Sequence, residues 1–458
     1  MDDPADIWTI DGSLNTLSDR PGMDSQKTNS YGIKVFHSFD GFELQSFTSS
    51  TDTDVVFSYD ADWGNTDSHF PYVYDYFSET LRDRRSFNQE FRIVSDSADF
   101  LQDSFIEWVV GANYLELKES NFKKDDGLYG DPTDPYGPYA SASSSSSRYK
   151  SSNISVFGNL DYLLSASLKF SIGLRVEDWE ANYSDSLKES FNPSDKMSGG
   201  KISLIKNMTN DTNMYASLAK GYKQGGFNLG LGLDTNSTNK NLAYDPEFLT
   251  NYELGVNTKL LDSRITFNGV LFYSDREDQQ VLISTQTDPS DPNTFSFLTQ
   301  NAAEGVNQGL EINMDMDINE SLSAFVNLGI LKTKIKNWES RQDLEDRAQA
   351  HAPERSYALG FNWALTSHTY LAIDFTGKSS FYYSDSHNNK SKSYVLTNLN
   401  LGHVKNNWNY ELWARNIFDE YYSVRGFYFG NEAPNFIDTL YERHGDPRHI
   451  GLSIRYDF

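Results

Sequence analysis

The sequence predicts an all-β protein, a transmembrane antiparallel up-and-down β-barrel of about 17 strands with short turns on one side of the membrane and long loops on the other. Three observations carry this. Apolar and polar residues alternate with period two in segment after segment, as the pleat of a strand with one greasy face requires. The connections between these segments alternate between short and long. The chain also stops on such a segment, "RHIGLSIRYDF" at 448–458, in which Ile450, Leu452, Ile454, Tyr456 and Phe458 alternate with polar or minimal residues.

Composition narrows the function. At 458 residues the formal net charge is -26, which argues against nucleic acid, whose phosphates need a basic face. Cysteine is absent, so disulfides and thiolate metal sites are excluded. The 28 Tyr and 30 Phe lean towards β-structure. No window approaches the roughly 18 consecutive apolar residues of a membrane-spanning helix. A barrel strand escapes that test, because it offers lipid only every second residue.

Taken in chain order, the clearest strands are "LKFSIGLRVE", with Leu168, Phe170, Ile172, Leu174 and Val176 on one face, then "YELGVNTKL", with Tyr252, Leu254, Val256 and Leu260. "LEINMDMDI" follows, with Leu310, Ile312, Met314, Met316 and Ile318, and last the C-terminal strand. Their opposite faces carry charges of both signs, among them Lys169, Arg175, Glu177, Glu253, Lys259, Glu311, Arg415 and Arg455, which suits a wet lumen. The short connections read "HSFDG", "SDSADF", "LLSAS", "MTNDTN", "LLDSR", "DINES", "LTSH" and "KNN", all hairpin chemistry. The long ones are expected over 58–87, 121–147, 184–197, 223–247, 277–303, 336–353, 385–392 and 425–446. Within them the serine run Ser141 to Ser147 reads as a flexible loop tip.

With an odd number of strands and a last strand ending at the short-turn, periplasmic side, the first must start outside. Residues 1–28 are therefore expected to be an extracellular loop remnant and 29–458 the barrel. Bacterial single-chain barrels have an even count, so strands are expected to be missing before the first. "MDDPADIWTIDGSLN" has neither the basic nor the apolar region of a signal peptide.

Several segments then resemble a known family. "ARNIFDEYY" supplies Asn416, Ile417, Phe418, Asp419 and Tyr421, and "GDPR" supplies Gly445, Pro447 and Arg448 ahead of the final strand. Together they resemble the closing signature of TonB-dependent outer-membrane receptors. "AKGYKQGGFN", "NQEFRIVS", "LQSFTS" and "HAPERSYALGFNW" look like internal segments of the same family's barrel. The resemblance implies a barrel of 22 strands, of which this chain supplies about 17. It also implies a plug domain, here absent, and energised uptake of a scarce nutrient, most often a ferric siderophore or similar iron complex. The implied partners are outer-membrane lipid and lipopolysaccharide of a Gram-negative bacterium, the TonB complex and the assembly machinery, which would read Ile454, Tyr456 and Phe458. The same terminal aromatics also suit an interfacial girdle. A passive porin-like or surface-binding barrel is the alternative.

Candidate ligand residues lie in tyrosine-rich loops: Tyr72, Tyr74 and Tyr76; Tyr136 and Tyr139; and Phe427, Tyr428 and Phe429. Amphipathic rings suit flat chelates and sugars, and equally suit loop packing. The acidic stretches "SYDADWGNTD" and "TDPSDPN" lack the spacing of a calcium loop and read as solvated loops. The gap between His444 and His449 makes no metal site, and no cofactor is expected. No G-x-S-x-G occurs, so an enzyme is not expected.

Overall fold

The computed structural model describes residues 8–9, 18–95, 106–186, 188–228, 243–286, 295–338, 341–430, 435, 437 and 439–458. Seventeen strands form one wall. The first eight are β1 (Met23–Phe39), β2 (Phe42–Asp60), β3 (Val73–Ser95), β4 (Ile106–Gly130), β5 (Tyr139–Ser165), β6 (Leu168–Asp185), β7 (Ser194–Asn207) and β8 (Thr212–Lys223). The remainder are β9 (Glu247–Leu260), β10 (Ile265–Gln286), β11 (Phe295–Asn319), β12 (Leu322–Lys336), β13 (Arg355–Thr366), β14 (Thr369–Lys378), β15 (Tyr394–Lys405), β16 (Trp408–Arg415) and β17 (His449–Tyr456). Each pairs antiparallel with its chain neighbour from β1 to β17. Among the described residues no ladder joins β1 to β17, and every residue of β1 is exposed.

Alternation decides which side of the wall each residue faces. Across β4, β5 and β6 one row reads Trp108, Leu160, Ile172 and the row four residues on reads Ala112, Val156, Val176. Val156 and Val176 are apolar yet 58% and 59% exposed, as expected of side chains turned to lipid. The other face is polar and pairs along the wall. Lys169 Nζ sits 3.0 Å from Asp161, and the Arg175 guanidinium 2.7 Å from Glu177, whose carboxylate also accepts from Asn153 Nδ2 at 2.6 Å.

Inward aromatics lie flat on glycines of the adjacent strand. Tyr215 covers Gly255, Tyr370 covers Gly402 and Trp413 covers Gly451, each directly opposite in register. A Cβ on any of these glycines would overlap the ring, so glycine is what lets a large ring lie along the wall instead of standing into the lumen.

Several expectations need correction, among them the connections expected at 58–87 and 277–303, of which 73–87, 277–286 and 295–303 are strand. β1 begins at Met23, so Met23–Thr28 belong to the wall, paired with Thr53 to Ser58, and not to a loop over 1–28. The connection expected at 121–147 is only Asp131–Pro138, and Ser141–Ser147 form a continuous part of β5, paired with Asn121–Gly127 of β4. β4 has 25 residues where about 9–11 cross a bilayer, so the wall rises well past the membrane. Out there both faces meet water, and hydrogen-bonded ladders sustain strands that carry no apolar alternation. The turn expected at 95–100 and the acidic "TDPSDPN" at 287–293 lie largely or wholly outside the described residues.

Replacing Gly255 or Gly402 by Val is expected to cost roughly 1–3 kcal/mol, as overpacking does, in guanidinium unfolding of the chain refolded in detergent. Gly221, with open space around its Cβ position, is the control: Val there is expected to change stability by less than about 0.5 kcal/mol.

Candidate functional site

The long connections gather at one end of the barrel, and their side chains build its mouth. The residues resembling a family signature turn out to hold the last connection. Asn416 is buried, and its Nδ2 donates to the carbonyls of Glu420 at 2.9 Å and Asp446 at 3.1 Å, while its Oδ1 accepts from Glu420 N at 2.8 Å. The Asp419 carboxylate accepts the backbone N–H of Arg448 at 2.8 Å. Gly445 N donates to the Tyr422 carbonyl at 2.9 Å, and the Tyr422 ring occupies the space a side chain at 445 would need. Pro447 lies between these two clasped residues. Ile417 N donates to Thr397 O at 2.9 Å, and Phe418 projects outward, 75% exposed. Tyr421 Oη and Ser423 Oγ contact the two ring nitrogens of His444, at 2.6 and 3.2 Å.

The clasp positions a hairpin, Ser423–Phe429 with Thr439–His444, onto which Trp8–Thr9 adds a third strand. Phe427, Phe429 and Tyr441 of this sheet surround Trp63, with ring centroids 5.5, 5.3 and 5.0 Å away. Trp63 belongs to the connection 61–72, so the first and last described connections meet over the mouth. Tyr428 packs edge-on against His387, at 5.1 Å. The Tyr383 hydroxyl donates to the Glu442 carboxylate, and burial together with that carboxylate raises the phenol's pKa.

Arg347, its side chain 7% exposed, ties the β12–β13 connection to the β14–β15 connection. It pairs with Asp385 at 2.8 Å, donates to His387 O at 2.8 Å and Ser384 O at 3.1 Å, and stacks 4.4 Å from the Tyr382 ring. Burial lowers the pKa of His351, His387 and His444, so these three histidines are neutral near pH 7.

Asp60 and Asp62 of the acidic stretch at 58–67 are buried, contrary to expectation, while Asp67 at its end is exposed. Asp60 is fully buried and accepts from Ser18 Oγ at 2.8 Å and Asp19 N at 3.2 Å. Asp62 accepts from Gly64 N at 2.9 Å and Tyr76 N at 2.6 Å, with His69 Nε2 at 3.9 Å. Burial, reinforced by the neighbouring Asp60 carboxylate, raises the Asp62 pKa to about 7. Among the described residues no cluster of three or more His, Asp or Glu side chains could hold a metal ion.

Of the candidate aromatics, Tyr74 is buried against His69, Tyr76 and Tyr129. Tyr72 is half-buried beside them, its N–H donating to the His69 carbonyl at 2.8 Å. Phe427 and Phe429 join the Trp63 cluster, so loop packing accounts for their burial. Tyr136 and Tyr139 stand apart at the β4–β5 tip, 85% and 54% exposed. Trp63, Arg347, Tyr383 and Tyr441, which hold the mouth together, carried no local signal. Their partners come from connections distant in sequence.

A family model described as TonB dependent receptor-like, beta-barrel, matches residues 3–417. Three solved structures are similar over nearly the whole chain. The ferric yersiniabactin uptake receptor FyuA of Yersinia pestis has a TM-score of 0.73 at 16% identity, over 96% of this chain and 62% of its own. The siderophore receptor PiuA of Acinetobacter baumannii gives 0.71 at 16%, over 97% and 68%. The copper transporter OprC gives 0.70 at 14%, over 96% and 67%. The chain thus spans under two thirds of the first receptor's length.

Asn416→Ala removes three hydrogen bonds from a buried site and is expected to cost roughly 2–4 kcal/mol in denaturant unfolding. The Asp62 carboxyl predicts a pH dependence with a definite sign. Its folded pKa, about 7, lies above its unfolded value of 3.8, so the folded mouth binds the extra proton and its stability falls as pH rises between those values, then levels off. Proteolytic protection of the 61–72 connection is expected to decline across that window and to become flat in Asp62→Asn.

Proposed function

The chain belongs to the TonB-dependent receptor family, and from that premise we propose that it is the C-terminal part of the barrel of an outer-membrane receptor for energised uptake of an iron chelate of the siderophore class. The observation that carries the reading is the mouth. Connections from different parts of the wall are stapled into one aromatic, neutral-histidine surface above a polar lumen, which suits a flat chelate that binds by stacking and a few hydrogen bonds. Two of the similar structures are a ferric yersiniabactin uptake receptor and a siderophore receptor, which supports iron. The copper transporter among them makes another metal complex the second reading.

The free edges support a longer barrel. β1 and β17 both run from the long-connection side to the short-turn side, so a wall antiparallel throughout needs an odd number of strands between them. About five more bring the count to the expected 22. In this reading a plug domain and signal peptide precede those strands, and the TonB complex acts through the plug.

Three outcomes are expected. The DNA upstream of the Met1 codon reads in frame through a signal peptide, a plug and an odd number of strands; a stop codon preceding a separate signal sequence would overturn that. Deleting the gene abolishes uptake of a radiolabelled ferric siderophore, and in the parent strain dissipating the proton-motive force does the same, whereas uptake that survives dissipation means a passive barrel. Removing Phe458 lowers the assembled protein in outer-membrane fractions several-fold, while Tyr456→Phe leaves it unchanged.

A further inference from the structure

The top of the wall is uneven. β5 climbs past β6, whose last ladder pair is Asp185 with Ser147, and above that point β5 pairs only with β4. Tyr139–Ser146 is therefore a sheet edge at the long-connection end, and among the described residues no ladder covers its far side. Ser186 shows which way the backbone of this edge points. Its N–H donates to the Ser146 carbonyl at 2.8 Å, and Ser146 N donates to Ser186 Oγ at 3.0 Å. Alternate residues of a strand share one direction, so the N–H and C=O groups of Ala140, Ala142 and Ser144 face the same open side, repeating about every 6.8 Å.

Two further observations bear on this edge. Natural edges are blunted by charged side chains, proline or bulges. Tyr139–Ser146 carries no charge and no proline, its ladder to β4 runs without a register shift, and Tyr139 to Ser144 are all exposed. The second is a groove of about 650 Å³ where the edge meets Ser186, lined by Ser146, Ser184 and Ser186 and by Val56, Leu81 and Phe122. Val56, Leu81, Phe122 and Ser146 stand in register across β2 to β5, so this apolar row leads straight to the edge.

We propose that the edge takes an extended segment of a polypeptide arriving from outside the cell, which pairs with β5 as an added strand and seats one apolar side chain in the groove. The donor and acceptor groups of Ala140, Ala142 and Ser144 match a peptide backbone, whereas a sugar or a chelate has no donor–acceptor repeat of that spacing. An added strand antiparallel to β5 runs upwards from Ser186, so its first residue lies beside the groove and the later ones climb the edge. The nearest charges are paired within β4, Lys123 with Asp125 at 3.1 Å and Lys124 with Asp126 at 2.8 Å, which favours a neutral segment. The inference does not depend on which nutrient the barrel carries.

The test uses the full chain in detergent micelles and a fluorescent seven-residue peptide, an N-terminal leucine followed by alternating threonine and valine with a lysine amide at its end. Saturable binding is expected, and methylating alternate backbone nitrogens of the peptide is expected to abolish it. Ala142→Pro removes one outward-facing N–H without touching the ladder to β4, and is expected to weaken binding at least tenfold. Phe122→Ser is expected to weaken the peptide severalfold and to leave a version with glycine in place of leucine unchanged. Absence of binding overturns the proposal, as does equal affinity for the methylated peptide or for the proline variant. Self-association of the unaltered chain that Ala142→Pro abolishes would assign the edge to a second copy and overturn it too. Unchanged far-UV circular dichroism of each variant keeps these outcomes separate from misfolding.

Discussion

In hydrocarbon a backbone amide has no water to pair with, so each strand in the membrane must find both its partners in neighbouring strands. The rest of this structure depends on that constraint. It holds seventeen strands in chain order and forces period-two alternation wherever one face meets lipid and the other the lumen, and among the described residues β1 and β17 each pair with one neighbour. Above the membrane the same ladders continue for a different reason: once formed, they extend through polar sequence because each added pair satisfies two more backbone groups.

The lumen wall and the mouth solve separate packing problems. In the wall, rings such as Tyr215 and Tyr370 lie on glycines and charges pair with near neighbours, so the inner surface is both polar and smooth. At the mouth the chain must hold long connections in place without a shared core. It does so with a few buried polar anchors, Asn416 beneath the last hairpin, Arg347 between two connections and Asp60 at the end of β2, and with aromatic clusters centred on Trp63 and Tyr383. Burial there has electrostatic consequences, leaving His351, His387 and His444 neutral and Asp62 titrating near neutrality.

Much of the wall was legible in the sequence. The strands at 168–176 and 450–456 were visible because lipid and water on opposite faces impose alternation, and the turns at 208–211 and 261–264 because tight hairpins demand Asn, Asp and Ser. The motif at Asn416–Asp419 was visible as a resemblance, though not as a clasp, since its partners Asp446 and Arg448 lie some thirty residues on. The serine run in β5 was misread because a strand wetted on both faces carries no periodic signal.

By itself the sequence determined the fold class, the strand number and the side of the membrane on which each connection lies, because these follow from local alternation and turn chemistry. Only the tertiary structure decided which connections meet at the mouth, which aromatics are packed and which exposed, and which outward residues align into a groove. Those properties depend on register between strands and on contacts between connections far apart in the chain, and no local pattern encodes them.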